Sequence, residues 1–194
     1  MKIISFVALM TISTASIAGW TLCNQASDLN FVSTVNSSIS EVHSFTNMDG
    51  SISENGEAVL KVDLASVETN NSLRNKRIRK IIFDTKNFQE LLISIKLDAD
   101  QLASLSVSSP VVMEVNTTIS LHGISKEITA TLLVTRLQTG CLLISSLHPV
   151  LISLADFGLL DNLEKLRLYA KLDSIANTVP VTINLFYLKD PEGT

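Results

Sequence analysis

The residues VVMEVNTTISLHGI, which run from Val111 to Ile124, show the clearest pattern in the chain. Apolar and polar side chains alternate up to Leu121, and His122-Gly123 then supplies a turn. A period of two is typical of a β-strand that buries one face. The sequence therefore predicts a long strand that ends in a tight turn.

The same alternation recurs in Ala58–Leu64, Leu91–Asp98 and Leu166–Asp173. The gaps between the segments have hairpin length and leave no room for crossover helices, so we expect an all-β, antiparallel arrangement. Periodicity alone does not distinguish a sandwich from a barrel. Less regular strands, which bring the count near nine, are expected in Leu29–Val35, Val42–Thr46, Ile128–Leu137, Cys141–Ser145 and Val181–Leu188.

One segment, Ser72–Phe83, departs from the period of two. Its residues Ile78, Ile81 and Ile82 have helical spacing, and Asn71 or Ser72 can cap the start of a helix. Five of the chain's 15 lysines and arginines lie in this segment. The pattern predicts a basic helix outside the sheet, and a second short helix is expected near Asp161–Lys165.

Composition limits the classes of protein that fit. The chain has 194 residues, of which 46% are hydrophobic and 18% charged, which suits one folded domain and excludes a disordered chain. Its formal net charge of −4 argues against a nucleic-acid partner, which would require a basic surface. No apolar run after the N-terminus is long enough to cross a bilayer, so stable membrane insertion is not expected.

The N-terminus has the pattern of a secretory signal. Met1-Lys2 is basic, Ile3–Ile12 is nearly all apolar, and Ser16-Ile17-Ala18 places small residues before a cleavage site. We expect residues 1–18 to be removed on export, leaving one domain at 19–194. The two cysteines, Cys23 and Cys141, would then meet an oxidising compartment. They either form a disulfide, which would stabilise the fold by about 4–5 kcal/mol at most, or stay buried free thiols.

Several motifs, in order along the chain, resemble those of the YceI-like family. Their match covers nearly the whole chain after the signal, although each motif alone is weak. The matching segments are Trp20 with Ser27–Phe31, Ala65–Arg79 (the S-[IV]-x-T…R-[DN]-x-x-[LIM]-[RK] signature), Phe83–Phe88, Ile119–Lys126 (L-x-L-H-G-x-[ST]-[KR]) and Ala155–Leu159 (D-F-G-[ML]). Two positions depart from the usual pattern: Asn75 stands where Asp is common, and Gln89 where Pro is common.

The resemblance implies a lipocalin-like, extended antiparallel β-barrel of eight to nine strands with one or two short helices. It also implies a periplasmic protein that carries or sequesters an isoprenoid lipid, either a polyprenyl phosphate or a quinone-type lipid. The family supplies no catalytic residues, and the sequence shows no nucleophile or acid–base motif, so we expect neither an enzyme nor a cofactor. His43, His122 and His148 lack metal-ligand spacing, so no metal site is expected. The sequence leaves open whether the protein forms a homodimer.

Two sets of residues are candidates for ligand contact in such a barrel. The predicted mouth is the basic helix, where Arg74 and Arg77 would meet a phosphate and Ile78, Ile82 and Phe83 would cap the cavity. The predicted cavity wall is the apolar face of three strands: Leu60, Val62, Ile93, Ile95, Met113 and Val115.

Alternatives remain for both the basic helix and the barrel. In the alternative for the helix, its charged residues only face solvent and contact no ligand, as is usual for a run of charged residues. In the alternative for the barrel, side chains fill the interior and leave no ligand cavity. The protein would then act as a stress or interaction module through its outer surface.

Overall fold

The computed structural model describes residues 19–191 and is dominated by antiparallel strands. The described strands are β1 Gly19–Leu22, β2 Asp28–Val35, β3 Ile39–Phe45, β4 Met48–Ser53, β5 Glu57–Asp63, β6 Val67–Glu68, β7 Glu90–Lys96, β8 Val111–Leu121, β9 Ile124–Arg136, β10 Leu142–Ser146, β11 Val150–Ser153 and β12 Thr178–Lys189. The helices are α1 Ser72–Arg77, continued by a π-helical turn at Ile78–Ile82, then α2 Ala99–Ser104 and α3 Leu160–Ala170.

Eight of these strands close into a barrel, in the order β1-β4-β5-β7-β8-β9-β10-β12. The closing pair joins β1 to β12, with Trp20 opposite Lys189 and Leu22 opposite Tyr187. The N-terminal half of β12 pairs instead with β11 and β2, and the sheet continues through β3 to β6. The prediction of an all-β, lipocalin-like antiparallel barrel is confirmed. Of the two arrangements that periodicity left open, a sandwich and a barrel, the structure shows the barrel.

The β8–β9 hairpin is the longest ladder of the barrel. Its pairing runs from Val111 opposite Val134 to Leu121 opposite Ile124. His122 and Gly123 form a two-residue turn with φ values of 52° and 79°, which is the left-handed conformation that such turns require. A side chain at Gly123 would also press on Phe88, 3.3 Å away. The predicted strand and tight turn are confirmed.

The predicted strand at Leu166–Asp173 is wrong, because most of this segment is the C-terminal half of α3. Alternation over so few residues also fits a helix, since apolar residues at 163, 166 and 170 lie three and four apart. Leu168 and Tyr169 lie on the outer face of the helix and are 61% and 64% exposed. Lys171, with φ 55°, ends the helix in the left-handed conformation.

Other differences are omissions. Strand β4, whose pattern of buried and exposed residues alternates, is not among the strands that the sequence predicts. Strand β11 and helix α2 were not expected at all. The basic segment does form a helix outside the sheet, as predicted, with its start capped by Asn71.

Part of the barrel interior is filled by side chains, and we call it the packed half. It contains the buried residues of β1, β4 and β5 together with parts of β8, β10 and β12. Trp20 is fixed there by a 2.9 Å hydrogen bond from its Nε1 to the Gly140 carbonyl and by Lys189 Nζ, which lies 4.3 Å above its ring. The large side chains at this end leave the interior closed.

Both cysteines are free thiols in the structure. Leu22 and Leu142 pair with Tyr187 from opposite sides, so β12 runs between Cys23 and Cys141. Two strand spacings separate their Cα atoms by about 10 Å, whereas a disulfide tolerates up to about 7 Å. The two thiols are unpaired in the structure, where Cys141 is buried and Cys23 is partly exposed.

The expected signal, residues 1–18, lies outside the described residues. Within residues 19–191, no helix has the length and apolar character that crossing a membrane requires.

Candidate functional site

The other part of the barrel interior is a cavity of about 550 Å³. Its walls are β2, β3, β7, β11, parts of β8 and β9 and the N-terminal half of β12, and α1, the π-helical turn and α3 cover it. The volume is that of a typical small-molecule site. Eight of the 37 lining residues are polar: Ser33, Glu41, His43, Asn71, Arg74, Arg77, Thr117 and Ser146. The barrel is thus not filled throughout, contrary to the side-chain-filled alternative.

The six predicted wall residues divide between the two parts of the interior. Ile93 and Ile95 line the cavity. The described lining does not include the other four, which are buried in the core: Leu60, Val62, Met113 and Val115. These four side chains point into the barrel, as predicted. Leu60, for example, lies directly opposite Ile93 on the neighbouring strand.

All five predicted mouth residues line the cavity: Arg74, Arg77, Ile78, Ile82 and Phe83. They come together because α1 widens into the π-helical turn, in which the Phe83 amide donates to the Ile78 carbonyl at 3.1 Å. This wider turn directs Ile78, Ile82 and Phe83 toward the interior. Phe83 packs on Phe45 of β3 with ring centroids 5.9 Å apart.

Arg74 is fully engaged by the protein itself. Its Nε donates to Thr69 Oγ1 at 3.0 Å, and its Nη2 donates to the Thr69 carbonyl at 2.9 Å. Its Nη1 forms an ion pair with Glu41 of β3. All three guanidinium nitrogens thus have a partner within the protein, and Glu41 offsets the charge. Arg74 anchors α1 to the sheet and has little left to offer a ligand.

Asn75, the departure from the family signature, belongs to the same anchor. It is only 4% exposed, and its Oδ1 accepts from the Thr69 amide at 2.9 Å and from Thr69 Oγ1 at 2.6 Å. Its Nδ2 donates to Glu68 Oε1 at 3.0 Å, and this hydrogen bond is the main cause that lowers the pKa of Glu68. An aspartate would lose that donor and set two carboxylates together, so Asn75 suits the presence of Glu68.

Arg77 is held in a different way. Its guanidinium lies over the ring of Tyr169 on α3, 4.8 Å from the centroid. Its Nε is buried and has no hydrogen-bond partner among the described residues. A second tie between the covering helices runs from Asn162 Nδ2 to the Ile82 carbonyl at 3.1 Å. The two contacts join α3 to α1 and the π-helical turn above the cavity, which stays partly open to solvent.

Sequence reasoning missed a polar pair in the wall, His43 and Ser33. His43 is 3% exposed, and its Nε2 lies 2.8 Å from Ser33 Oγ. Burial and the nearby Arg74 lower the pKa of His43, with a weaker opposing effect from Glu41, so the imidazole is neutral near pH 7. Its Nδ1 finds no acceptor in the described part of the chain, so the orienting partner of a catalytic triad is missing. The signal was available, because the period of two places His43 on the inward phase with Phe45.

The α3, β11 and β12 contributions to the lining were also missed. Leu163 and Leu166 face the cavity from α3, and Val150, Val179 and Val181 do so from β11 and β12. Over residues 19–191, no group of three or more His, Cys, Asp or Glu side chains is placed to hold a metal ion.

Comparison with known proteins identifies the family. The model of the YceI-like domain matches residues 20–187. The chain belongs to the YceI-like family. None of the curated proteins gives a significant match.

Solved structures resemble this family member over most of its length. A polyisoprenoid-binding domain from Saccharophagus degradans is 36% identical and superposes with a TM-score of 0.86, covering 89% of this chain and 99% of that one. BcnA of Burkholderia cenocepacia is 14% identical with a TM-score of 0.67, covering 85% of this chain and 98% of its own. The YceI protein of Campylobacter jejuni is 14% identical with a TM-score of 0.55, covering 77% and 85%. The last two show the fold alone.

Proposed function

We propose that the protein binds an isoprenoid lipid and buries the lipid's chain in the cavity. The observation that carries this proposal is the roofed cavity of about 550 Å³ with a lining that is mostly aliphatic. Transfer of an apolar chain from water into such a site is favourable by about 25 cal/mol per Å² buried. The 36% identity to a polyisoprenoid-binding domain, over nearly all of that domain, supports this ligand class.

The character of the wall also supports a branched, flexible chain. Leucine, isoleucine and valine dominate the lining, while the aromatic residues are three phenylalanines on one side: Phe31, Phe45 and Phe83. Flat ligands are usually held between aromatic faces. An isoprenoid chain instead presents methyl branches at regular intervals, which aliphatic side chains on several strands and helices can surround.

The proposed role is carriage or sequestration rather than conversion of the lipid. The polar groups in the wall form no acid–base pair with an orienting partner in the described residues. The covering helices shield part of the lipid from water, and opening of the contacts at Arg77 and Asn162 would widen the path for exchange. Such opening is expected on the μs–ms scale.

Lipid analysis of the purified protein tests the proposal. Extraction followed by mass spectrometry is expected to give about one isoprenoid molecule per protein chain. Ala130→Trp would fill the cavity from β9, because Ala130 lies in its lining, and should abolish the bound lipid. The matched control is Val112→Trp on the neighbouring β8, where the side chain is exposed. Equal lipid content in both variants, or no isoprenoid in the unaltered protein, would contradict the proposal.

We further propose that the protein is exported and that residues 1–18 are its signal. The basic start, apolar run and small residues at 16 and 18 support this. Intact-mass measurement of protein from a cell-envelope extract should give a chain that begins at Gly19. A mass that includes residues 1–18 would contradict export by cleavage.

A further inference from the structure

The cavity mouth carries one cation that no carboxylate offsets. Of the two arginines in the lining, Arg74 is paired with Glu41. The side chain of Arg77 has no ion pair and no hydrogen bond to any residue in the described range 19–191. His43 is neutral near pH 7, so it adds no positive charge. Arg77 therefore leaves the mouth with one positive charge in excess.

The contact that holds Arg77 leaves its donors available. Its guanidinium lies over the face of Tyr169, 4.8 Å from the ring centroid. A cation–π contact is an attraction between the charge and the ring and needs no hydrogen-bond acceptor, and the Arg77 Nε has no partner among residues 19–191. The contact thus fixes the position of Arg77 without occupying its hydrogen-bond donors. Its buried Nε is a donor that a ligand could satisfy.

A neighbouring arginine shows the contrast. Arg79, two residues further along, also has a buried Nε without a partner among residues 19–191, but its Nη2 donates to the Val67 carbonyl at 3.4 Å and it does not belong to the described lining of the cavity. It has the same charge on the same segment, but it serves the strand beside it. Arg79 therefore offers a control for the effect of charge alone.

We propose that Arg77 binds the oxyanion of a single-phosphate head group on an isoprenoid lipid whose chain fills the cavity. This inference rests on the proposed function and names the head group of the same site. A phosphate monoester carries about −1.5 to −2 charges, which one arginine with in-plane donors can pair with. A diphosphate would bring still more negative charge beside Glu41 than a monophosphate does, so a single free cation favours the monophosphate. The earlier expectation that Arg74 shares this role is replaced, since Arg74 positions α1 instead.

The test compares two probes that differ in the head group alone. Geranylgeraniol and geranylgeranyl monophosphate share one chain, so the ratio of their Kd values isolates the phosphate. The unaltered protein should bind the monophosphate about ten- to a hundredfold more tightly, the effect of a charge-assisted hydrogen bond. Arg77→Gln should bring the ratio near one by weakening the monophosphate alone, and Arg77→Lys should restore part of it. Arg79→Gln should keep the full ratio.

Each contrary result has a distinct meaning. Equal affinity of the unaltered protein for both probes would overturn the role of Arg77 and leave the proposed function intact. Binding of neither probe would overturn the proposed function itself. Loss of both probes in Arg77→Gln, or equal losses in Arg77→Gln and Arg79→Gln, would mean that Arg77 acts through the fold or through charge alone. Inorganic phosphate should not compete at micromolar concentration, and competition at that level would reduce the site to an anion site without a lipid.

Discussion

The packed half and the cavity follow the same alternation of side chains and share β8 and β12, yet only the cavity has room for a ligand. Leu60 and Ile93 lie opposite each other on β5 and β7, and Leu60 is enclosed by the core whereas Ile93 faces the cavity. In the packed half, large side chains such as Trp20, Met48 and Tyr187 meet at the centre. The inward side chains around the cavity are mainly aliphatic, and helices rather than further strands cover them. Inward phase alone therefore does not predict ligand contact.

A buried charge should give the largest difference in stability loss between the packed half and the cavity wall. Val115→Asp places a carboxylate in the packed half with no partner, which costs about 3–5 kcal/mol or prevents folding. Ile95→Asp places the same group at the cavity wall, where water can reach it, and should cost clearly less. Denaturant unfolding measures both. Equal losses would mean that the cavity is closed to water or that Val115 is not enclosed.

A smaller contrast is expected from truncation of the cross-strand pair. Leu60→Ala should lower the free energy of unfolding by about 2–5 kcal/mol, because it opens a void in a packed core. Ile93→Ala should cost roughly half as much, since the cavity already deprives Ile93 of contacts on one side. Lipid binding should respond in the opposite sense, with a loss in the Ile93 variant and little change in the Leu60 variant. The reverse order of stability losses would contradict the division of the interior.

The anchor of α1 tests whether the roof depends on Asn75. Asn75→Asp restores the common family residue but sets a carboxylate against Glu68, so the Tm should fall by a few degrees. Adding Glu68→Gln should recover much of the loss, because the new amide can donate to the new carboxylate. A Tm unchanged by Asn75→Asp would show that the hydrogen bond to Glu68 does not matter for stability.

The smallest effect is the pH dependence that His43 contributes. Burial and Arg74 lower the pKa of His43 from its usual value of 6.5, so the unfolded chain takes up a proton at a higher pH than the folded one. Its contribution to stability is therefore complete above pH 6.5 and is lost as the pH falls through the lowered pKa. The Tm should fall between pH 7 and pH 5, and His43→Gln should reduce that fall. An identical decline in the variant would assign it to other groups.

Alternation and turn chemistry predicted the barrel well, because a strand that buries one face leaves a period of two in its own residues. Val111–Leu121 is the clearest case. The same rule failed at Leu166–Asp173, where a short run fits both periods and its first five residues belong to α3, which ends at Ala170. Strand β11, with four residues, is too short to leave a pattern.

The candidate site was less predictable, because its position depends on contacts between distant parts of the chain. The sequence placed Arg74 and Arg77 on one helix but did not show that Glu41, 33 residues earlier, pairs with Arg74. Nor did it show that Tyr169 lies beside Arg77, since that residue was expected in a strand. The size of the side chains across the barrel decides whether an inward residue lines the cavity or packs against other side chains.

The most direct measurement of the central claim, that the cavity holds the lipid chain, is a methyl NOE experiment on the protein bound to geranylgeraniol. We expect contacts from the isoprenoid methyl groups to Ile93, Ile119 and Val181, which line the cavity, and none to Leu60 or Met113 in the packed half. Contacts confined to exposed side chains such as Val42 and Leu151 would place the lipid on the outer surface and contradict the account.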